Sequence, residues 1–316
     1  MQDAPHPRRE LLRRALCAGA GAALLGRTTP LAAAQDAADA SGSPTAPRFR
    51  KALKYGMIAD PDAKSVAERF ALAKRLGFDG VELNSPSDLD EAEVVEAARE
   101  TGLVVEGLVD SAHWKHSLGS TDAAERKQGR DALEHALRQA ARLGADSVLL
   151  VPAVVRANAS YRDAWKHSVD EVRGAAALAE ELDVRIACEN VWNNFLISPI
   201  EACHWLDEVG SDHVVWHFDV GNVLRYGWPE HWIEALGSKR CYKLDVKEFS
   251  RAKMNDEGLW RGFDVKVGDG DVDWGSVRDA LGAIGFDGWA AAEVAGGDAE
   301  RLADVSARMD RVLGLS

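Results

Sequence analysis

Four acidic residues in the second half of the chain share one setting. Glu189 closes the run Ile186-Ala187-Cys188, Asp219 follows His217-Phe218, Asp245 follows Lys243-Leu244, and Glu293 follows Ala291-Ala292. Short apolar runs of this kind read as buried strands, and a packed core does not want a carboxylate at their ends. Taken singly, each is more often a helix cap or a solvated loop residue. Their recurrence on four successive strands is what points to a site. Brought together, they form a ring of like charges in which some members must stay protonated. A divalent cation removes that conflict, and all-oxygen ligation favours a hard ion such as Mg²⁺ or Mn²⁺. Such an ion can chelate two neighbouring oxygens of a ligand, one of them a carbonyl, and acidify the adjacent C–H. A carboxylate on one face then removes the proton, and a second returns one.

Other polar residues fall near the same place. Lys247 alternates in phase with Lys243 and Asp245, so it should face the pocket, while His217 should belong to the interior. The stretch Asp110-Ser111-Ala112-His113-Trp114-Lys115-His116 sets His113 beside the indole of Trp114, an aromatic wall that suits the apolar face of a sugar. The segment from Phe249 to Asp273, rich in glycine and charge, reads as a lid.

Eight strands are needed to hold these groups, and the pattern supplies eight. Strands are expected at Leu53 to Ile58, Gly80 to Leu83, Leu103 to Val109, Ser147 to Val151, Val184 to Cys188, Val214 to Phe218, Cys241 to Val246 and Trp289 to Val294. Helical spacing follows each, often stopped by glycine as at Gly77, Gly102 and Gly144. This alternation points to a (β/α)8 TIM barrel in one domain over residues 51–316, whose active site lies at the carboxyl ends of the strands. A doubly wound open sheet competes, but Ala59-Asp60-Pro61-Asp62 offers no glycine-rich turn after the first strand.

Composition narrows the partners. A net charge of −13 argues against a nucleic-acid or anionic-membrane surface. Cys188 and Cys241 sit in strand-like runs and read, with Cys203, as packing residues rather than a disulfide framework.

The phrases Phe218-Asp219-Val220-Gly221-Asn222, Asp245-Val246-Lys247-Glu248, Gly268-Asp269-Gly270-Asp271-Val272-Asp273-Trp274 and Gly288-Trp289-Ala290-Ala291-Ala292-Glu293 resemble the sugar isomerase/epimerase family of xylose-isomerase-like barrels. The resemblance implies a divalent metal held by Glu189, Asp219, Asp245 and Glu293, with Glu189 and Glu293 also passing the proton through an enediolate. Strand seven departs from it: the family's usual His-x-Lys-Asp stands here as Asp245-Val246-Lys247-Glu248, so Asp replaces an imidazole. The resemblance also implies substrate contacts at Arg251, Asn222 and Glu82, beside Lys247, His113 and Trp114. The substrate is expected to be a neutral sugar, because the acidic loop Gly268-Asp269-Gly270 opposes a phosphate. Lyase or hydratase action on keto-glycosides and a non-catalytic sugar-binding barrel are the alternatives, and a homo-oligomer is compatible with either. A nuclease would need metal histidines and a basic groove, which the sequence lacks.

The first residues read as an address. Arg8-Arg9-Glu10-Leu11-Leu12 and the small apolar run Ala15 to Leu25 resemble a twin-arginine signal over residues 1–34, with Ala32-Ala33-Ala34 as the exit. Residues 35–50 lack periodicity and read as a disordered linker. An exported, periplasmic or extracellular protein with no remaining membrane span is expected.

Overall fold

The computed structural model describes residues 46–315. The signal and most of the linker expected above lie outside them. Eight parallel strands, each hydrogen-bonded to the next, close into a barrel in sequence order. They are β1 (Arg48–Lys54), β2 (Gly80–Ser85), β3 (Val104–Asp110), β4 (Ser147–Leu150), β5 (Arg185–Glu189), β6 (Val214–Asp219), β7 (Cys241–Val246) and β8 (Asp287–Ala292). The expected TIM barrel is the fold.

The first strand differs from its expectation. β1 starts at Arg48 rather than Leu53, inside the stretch read as linker, because it pairs with β8 from Arg48↔Asp287 to Leu53↔Ala292. The apolar run after it turns instead through a 3-10 helix, Tyr55–Met57. Only Arg48 to Arg50 of this strand fall in the expected linker, where two arginines around one phenylalanine offer no apolar run. Its last residue is Lys54. β8 in turn ends at Ala292, so Glu293 stands just past it, its N–H bonded to the Val246 carbonyl at 3.2 Å. The short helix expected at Trp232 to Leu236 runs from Pro229 to Arg240, broken at Gly237, where φ is 65°.

Helices wrap the barrel, and the outward residues of the strands face them. Val81, Leu83, Val148, Leu150, Ile186, Cys188, Phe218, Leu244 and Ala292 join one large buried cluster with the helices. Cys188 and Cys241 are buried in that layer as free thiols, and Cys203 is half-buried. Helix ends are set locally: Ser65 and Glu68 form a reciprocal cap, and Gly144 ends the helix Ala123–Leu143 at φ 74°. No described helix is long and apolar enough to cross a membrane.

The barrel interior is different. Its apolar part is a small separate cluster of Ala52, Trp289 and Ala291. Beneath the mouth, the Lys243 ammonium bonds the Glu106 carboxylate and lies 2.9 Å from Asp146. Gly107 makes that approach possible, since a Cβ there would sit 2.8 Å from Lys243 Nζ.

Candidate active site

At the carboxyl ends of the strands, alternation turns every second residue inward. Glu189, Asp219, Asp245 and Glu293 each place an oxygen within 4.8 Å of the others. The sequence-level ring therefore exists as geometry. Asp219, Asp245 and Glu189 are buried, while the Glu293 side chain is 37% exposed toward the cavity.

Local hydrogen bonds fix the ring. Asp219 Oδ1 accepts the Asn222 N–H at 2.7 Å and so caps the short helix Val220–Val223. Being a cap and being a ring member are thus one residue's two oxygens, because Oδ2 faces Lys247 Nζ at 2.8 Å. Asn190 holds the backbone of Asp219 from both sides, accepting its N–H at 3.0 Å and donating to its carbonyl at 2.7 Å. Asn222 donates to the Asn190 carbonyl and lies 3.4 Å from Glu189 Oε1.

Two ammonium groups enter the ring from opposite flanks. Lys247 lies 2.8 Å from Asp219 and 2.8 Å from Glu293. Lys54 bonds Glu82 and lies 3.0 Å from Asp245 Oδ2. His217 Nε2 meets Asp245 Oδ1 at 3.1 Å. Five carboxylates (Glu82, Glu189, Asp219, Asp245, Glu293) thus face two ammoniums, leaving three acids in excess when all are ionised.

That excess shows in the acidities. Burial, then the charges of Glu293, Asp245 and Asp219, raise the Glu189 carboxyl well above the ordinary range. Burial lifts Asp219 to about 7 against the pull of Lys247, and Asp245 to about 6 against Lys54. At Glu293 burial is outweighed by Lys247 and Lys54, and the carboxyl falls to about 2. Burial lowers His217 to about 3, so its ring is neutral.

The donor set fits a cation by a test internal to the structure. Both Asp245 oxygens, Asp219 Oδ2 and Glu293 Oε2 are buried without a well-directed hydrogen bond, although the lysines stand at ion-pair distance. Buried lone pairs left so are costly unless something else engages them. Glu189, Asp219, Asp245 and Glu293 are the residues that would hold a divalent ion.

The remaining expected residues divide. Lys247, Asn222, Glu82, His113 and Trp114 all line a cavity of about 720 Å³ above the ring. His113 Nδ1 accepts the Val151 N–H at 3.2 Å, which leaves Nε2 as its donor, and burial lowers it to about 4. Arg251 does not line the cavity. Its guanidinium donates to the Leu224 carbonyl at 2.7 Å and the Gly227 carbonyl at 3.1 Å, bracing the loop after β6 instead of reaching a ligand. The segment expected as a lid carries a helix, Arg251–Glu257, and a 3-10 turn, Leu259–Phe263, whose Trp260 and Phe263 reach the cavity.

Sequence reasoning missed Lys54, Asn190, Asn84, Trp192, Trp260 and Phe263. Lys54 had a legible signal: it stands two places beyond Ala52 at the end of an alternating strand, as Lys247 stands beyond Asp245. The aromatic residues had none, because nothing in their spacing says that a loop folds back over the mouth.

A family model described as a xylose isomerase-like TIM barrel matches residues 70–311, and the chain belongs to that family. A putative L-ribulose-5-phosphate 3-epimerase of Escherichia coli (strain K12) is 27% identical over 233 residues, 70% of this chain and 80% of that protein. Among solved structures, a D-allulose 3-epimerase from Methylomonas sp. in complex with D-allulose has a TM-score of 0.68 at 20% identity, covering 84% of this chain and 97% of its own. The IOLI protein with a bound zinc atom has a TM-score of 0.70 at 17% identity, covering 84% and 99%. At those identities the shared property is the fold.

Proposed function

We propose, with family membership as premise, that the chain is a metal-dependent sugar epimerase or isomerase acting on a neutral sugar by proton transfer. The observation that carries this reading is the excess of buried acids over ammoniums at the mouth of the barrel, with oxygens that lack a well-directed hydrogen bond. The relatives named as sugar epimerases favour the same class.

Glu189, Asp219, Asp245 and Glu293 would hold a divalent ion, whose charge would acidify a C–H beside a sugar carbonyl. The chain's own residues do the rest. Glu189 and Glu293 take the two proton-transfer roles, one on each face of the reacting carbon. Return of the proton to the same carbon gives epimerisation, and to its neighbour isomerisation. Lys247 holds Asp219 and Glu293 in place, and Asn190 holds Asp219 through its backbone. His113 Nε2–H and Asn222 offer hydrogen bonds to sugar hydroxyls beside the indole of Trp114.

A neutral substrate follows from where the positive charges are. The cations among the described lining residues are Lys54 and Lys247, both tied to carboxylates, and His113 is neutral. A phosphate would meet Glu82, Glu189 and Glu293 without a free counter-charge. Export by a twin-arginine route, inferred from Arg8-Arg9 and the apolar run after them, agrees with a substrate outside the cytoplasm. Fractionation of cells carrying the chain with Arg8 and Arg9 changed to lysine tests that route, and an unchanged distribution rejects it.

The reaction is tested by incubating the Mn²⁺-supplemented protein in D₂O with a panel of neutral sugars and their phosphates. Deuterium should enter a neutral sugar at the carbon beside its carbonyl, and a chelator should abolish it. Deuterium entering only the phosphates, or entering undiminished after chelation, contradicts the reading.

A further inference from the structure

The cavity is larger than the acid ring needs, and its outer wall is aromatic. Trp192 packs against Trp260 and Phe263 with ring centroids 4.9 Å away in each case. All three line the cavity, and Trp260 is 67% exposed. The platform begins one short step from the reacting groups. Lys247 Nζ, 2.8 Å from Asp219 and Glu293, is also 5.4 Å from the centre of the Phe263 ring. A large indole left open beside a polar pocket is surface that a ligand covers. A volume of about 720 Å³ is in the upper part of the ~300–1,000 Å³ range that holds drug-sized ligands, well beyond a single sugar ring.

We infer that Trp192, Trp260 and Phe263 form a second subsite that stacks a second sugar ring, so that the substrate is a reducing disaccharide whose reducing-end unit lies over the acids. This rests on the proposed function and sharpens its substrate class. A sugar ring presents C–H groups on its face and hydroxyls at its rim, which matches a flat aromatic wall bordered by polar groups. A reducing-end unit opens to its carbonyl form and supplies the acidic C–H, so no oxidant is needed. Both lysines of the lining are paired with acids at the reacting end, while the platform end carries the Arg225 guanidinium over the Trp192 ring at 4.9 Å.

Trp260 is exposed enough that Trp260→Ala should fold as the parent does. Calorimetric titration of the Mn²⁺-supplemented parent and variant is made with glucose, glucose 6-phosphate, and a panel of reducing disaccharides including maltose and cellobiose. The expected result is a disaccharide bound about tenfold or more tighter than glucose, with the preference reduced to about threefold or less in Trp260→Ala. Glucose or its phosphate binding as tightly as every disaccharide overturns the subsite, as does a preference that survives in Trp260→Ala. Solvent-deuterium exchange with the same panel separates the two readings. A Trp260-dependent preference without exchange keeps the subsite and overturns the reaction, whereas exchange confined to monosaccharides overturns the subsite and leaves the reaction.

Discussion

The barrel buries charge at two levels, and it handles them differently. In the lower layer, the Lys243 ammonium serves Glu106, which is fully buried, and Asp146, whose side chain reaches solvent. Trp289 fills the space beside it, with the Arg50 guanidinium stacked on its ring at 4.2 Å. This layer is closed and has one acid in excess, and burial lifts Glu106 to about 7 against the pull of Lys243. At the mouth, two ammoniums face five carboxylates around an open cavity. The lower layer shows that this fold can pair a buried acid when the purpose is to hold the barrel together. The larger surplus at the mouth, three acids around an open cavity, is what the proposed cation would offset.

The strongest way to break that contrast is to remove a charged group from each level. Glu189→Gln and Glu293→Gln should each lower deuterium exchange by about 10³-fold, within the span expected for loss of a proton-transfer group, with the urea midpoint unchanged or raised in Glu189→Gln and lowered in Glu293→Gln, whose carboxylate pairs with Lys247. Exchange retained in either variant removes that residue from the proton path. Lys243→Met should act in the opposite sense. It strands Glu106 in the interior and should cost about 3–5 kcal/mol in urea unfolding, most of it recovered in Lys243→Met/Glu106→Gln, with Mn²⁺ affinity unaltered. A mild effect on stability would mean that the lower layer is not a structural pair.

A charge cycle across the mouth sharpens the contrast further. Lys54 stands 3.0 Å from Asp245, so the two together add no net charge to the ring. Lys54→Met should tighten Mn²⁺ binding about tenfold, and Asp245→Asn should weaken it by a similar factor. In the Asp245→Asn background Lys54→Met should tighten binding by much less than tenfold, a coupling that calorimetry reads directly. Purely additive effects would show that Lys54 does not compensate Asp245.

The smallest effect is in pH. Asp219 and Asp245 have folded values raised by burial to about 7 and about 6, above their ordinary 3.8. Below about pH 4 they are protonated whether folded or not, so the ring costs nothing there. Between roughly pH 4 and 7 the unfolded chain releases protons that the folded ring retains, and stability falls. Glu293, lowered from 4.5 to about 2, works the other way, but its contribution is complete by about pH 4.5. Chelated protein should therefore lose several degrees of Tm from pH 5 to 8, and Mn²⁺ should abolish most of that loss. Equal slopes with and without the ion would place the strain elsewhere.

The parts legible in sequence were those written in periodicity. Inward carboxylates at the ends of β5 to β7 and just beyond β8 follow from alternation alone, and Lys247 follows from its phase with Asp245. Lys54 was passed over because it fell near the start of the expected strand Leu53 to Ile58, whereas β1 runs from Arg48 and ends at Lys54, which puts that lysine at the mouth. Arg251 misled in the other direction. Its place near the site was readable, but the carbonyls of Leu224 and Gly227, which take its donors, come from a loop whose path no local pattern specifies. The aromatic mouth depends likewise on how the segment after β7 returns across the barrel.

The central claim is that Glu189, Asp219, Asp245 and Glu293 meet to hold one cation. Its most direct test is calorimetric titration of metal-stripped protein with Mn²⁺ at pH 7.5, beside Glu189→Gln and Asp219→Asn. The account predicts a single divalent site per chain that is lost or weakened at least about a hundredfold in both variants. A parent that takes up no divalent ion, or variants that bind it as the parent does, would contradict it.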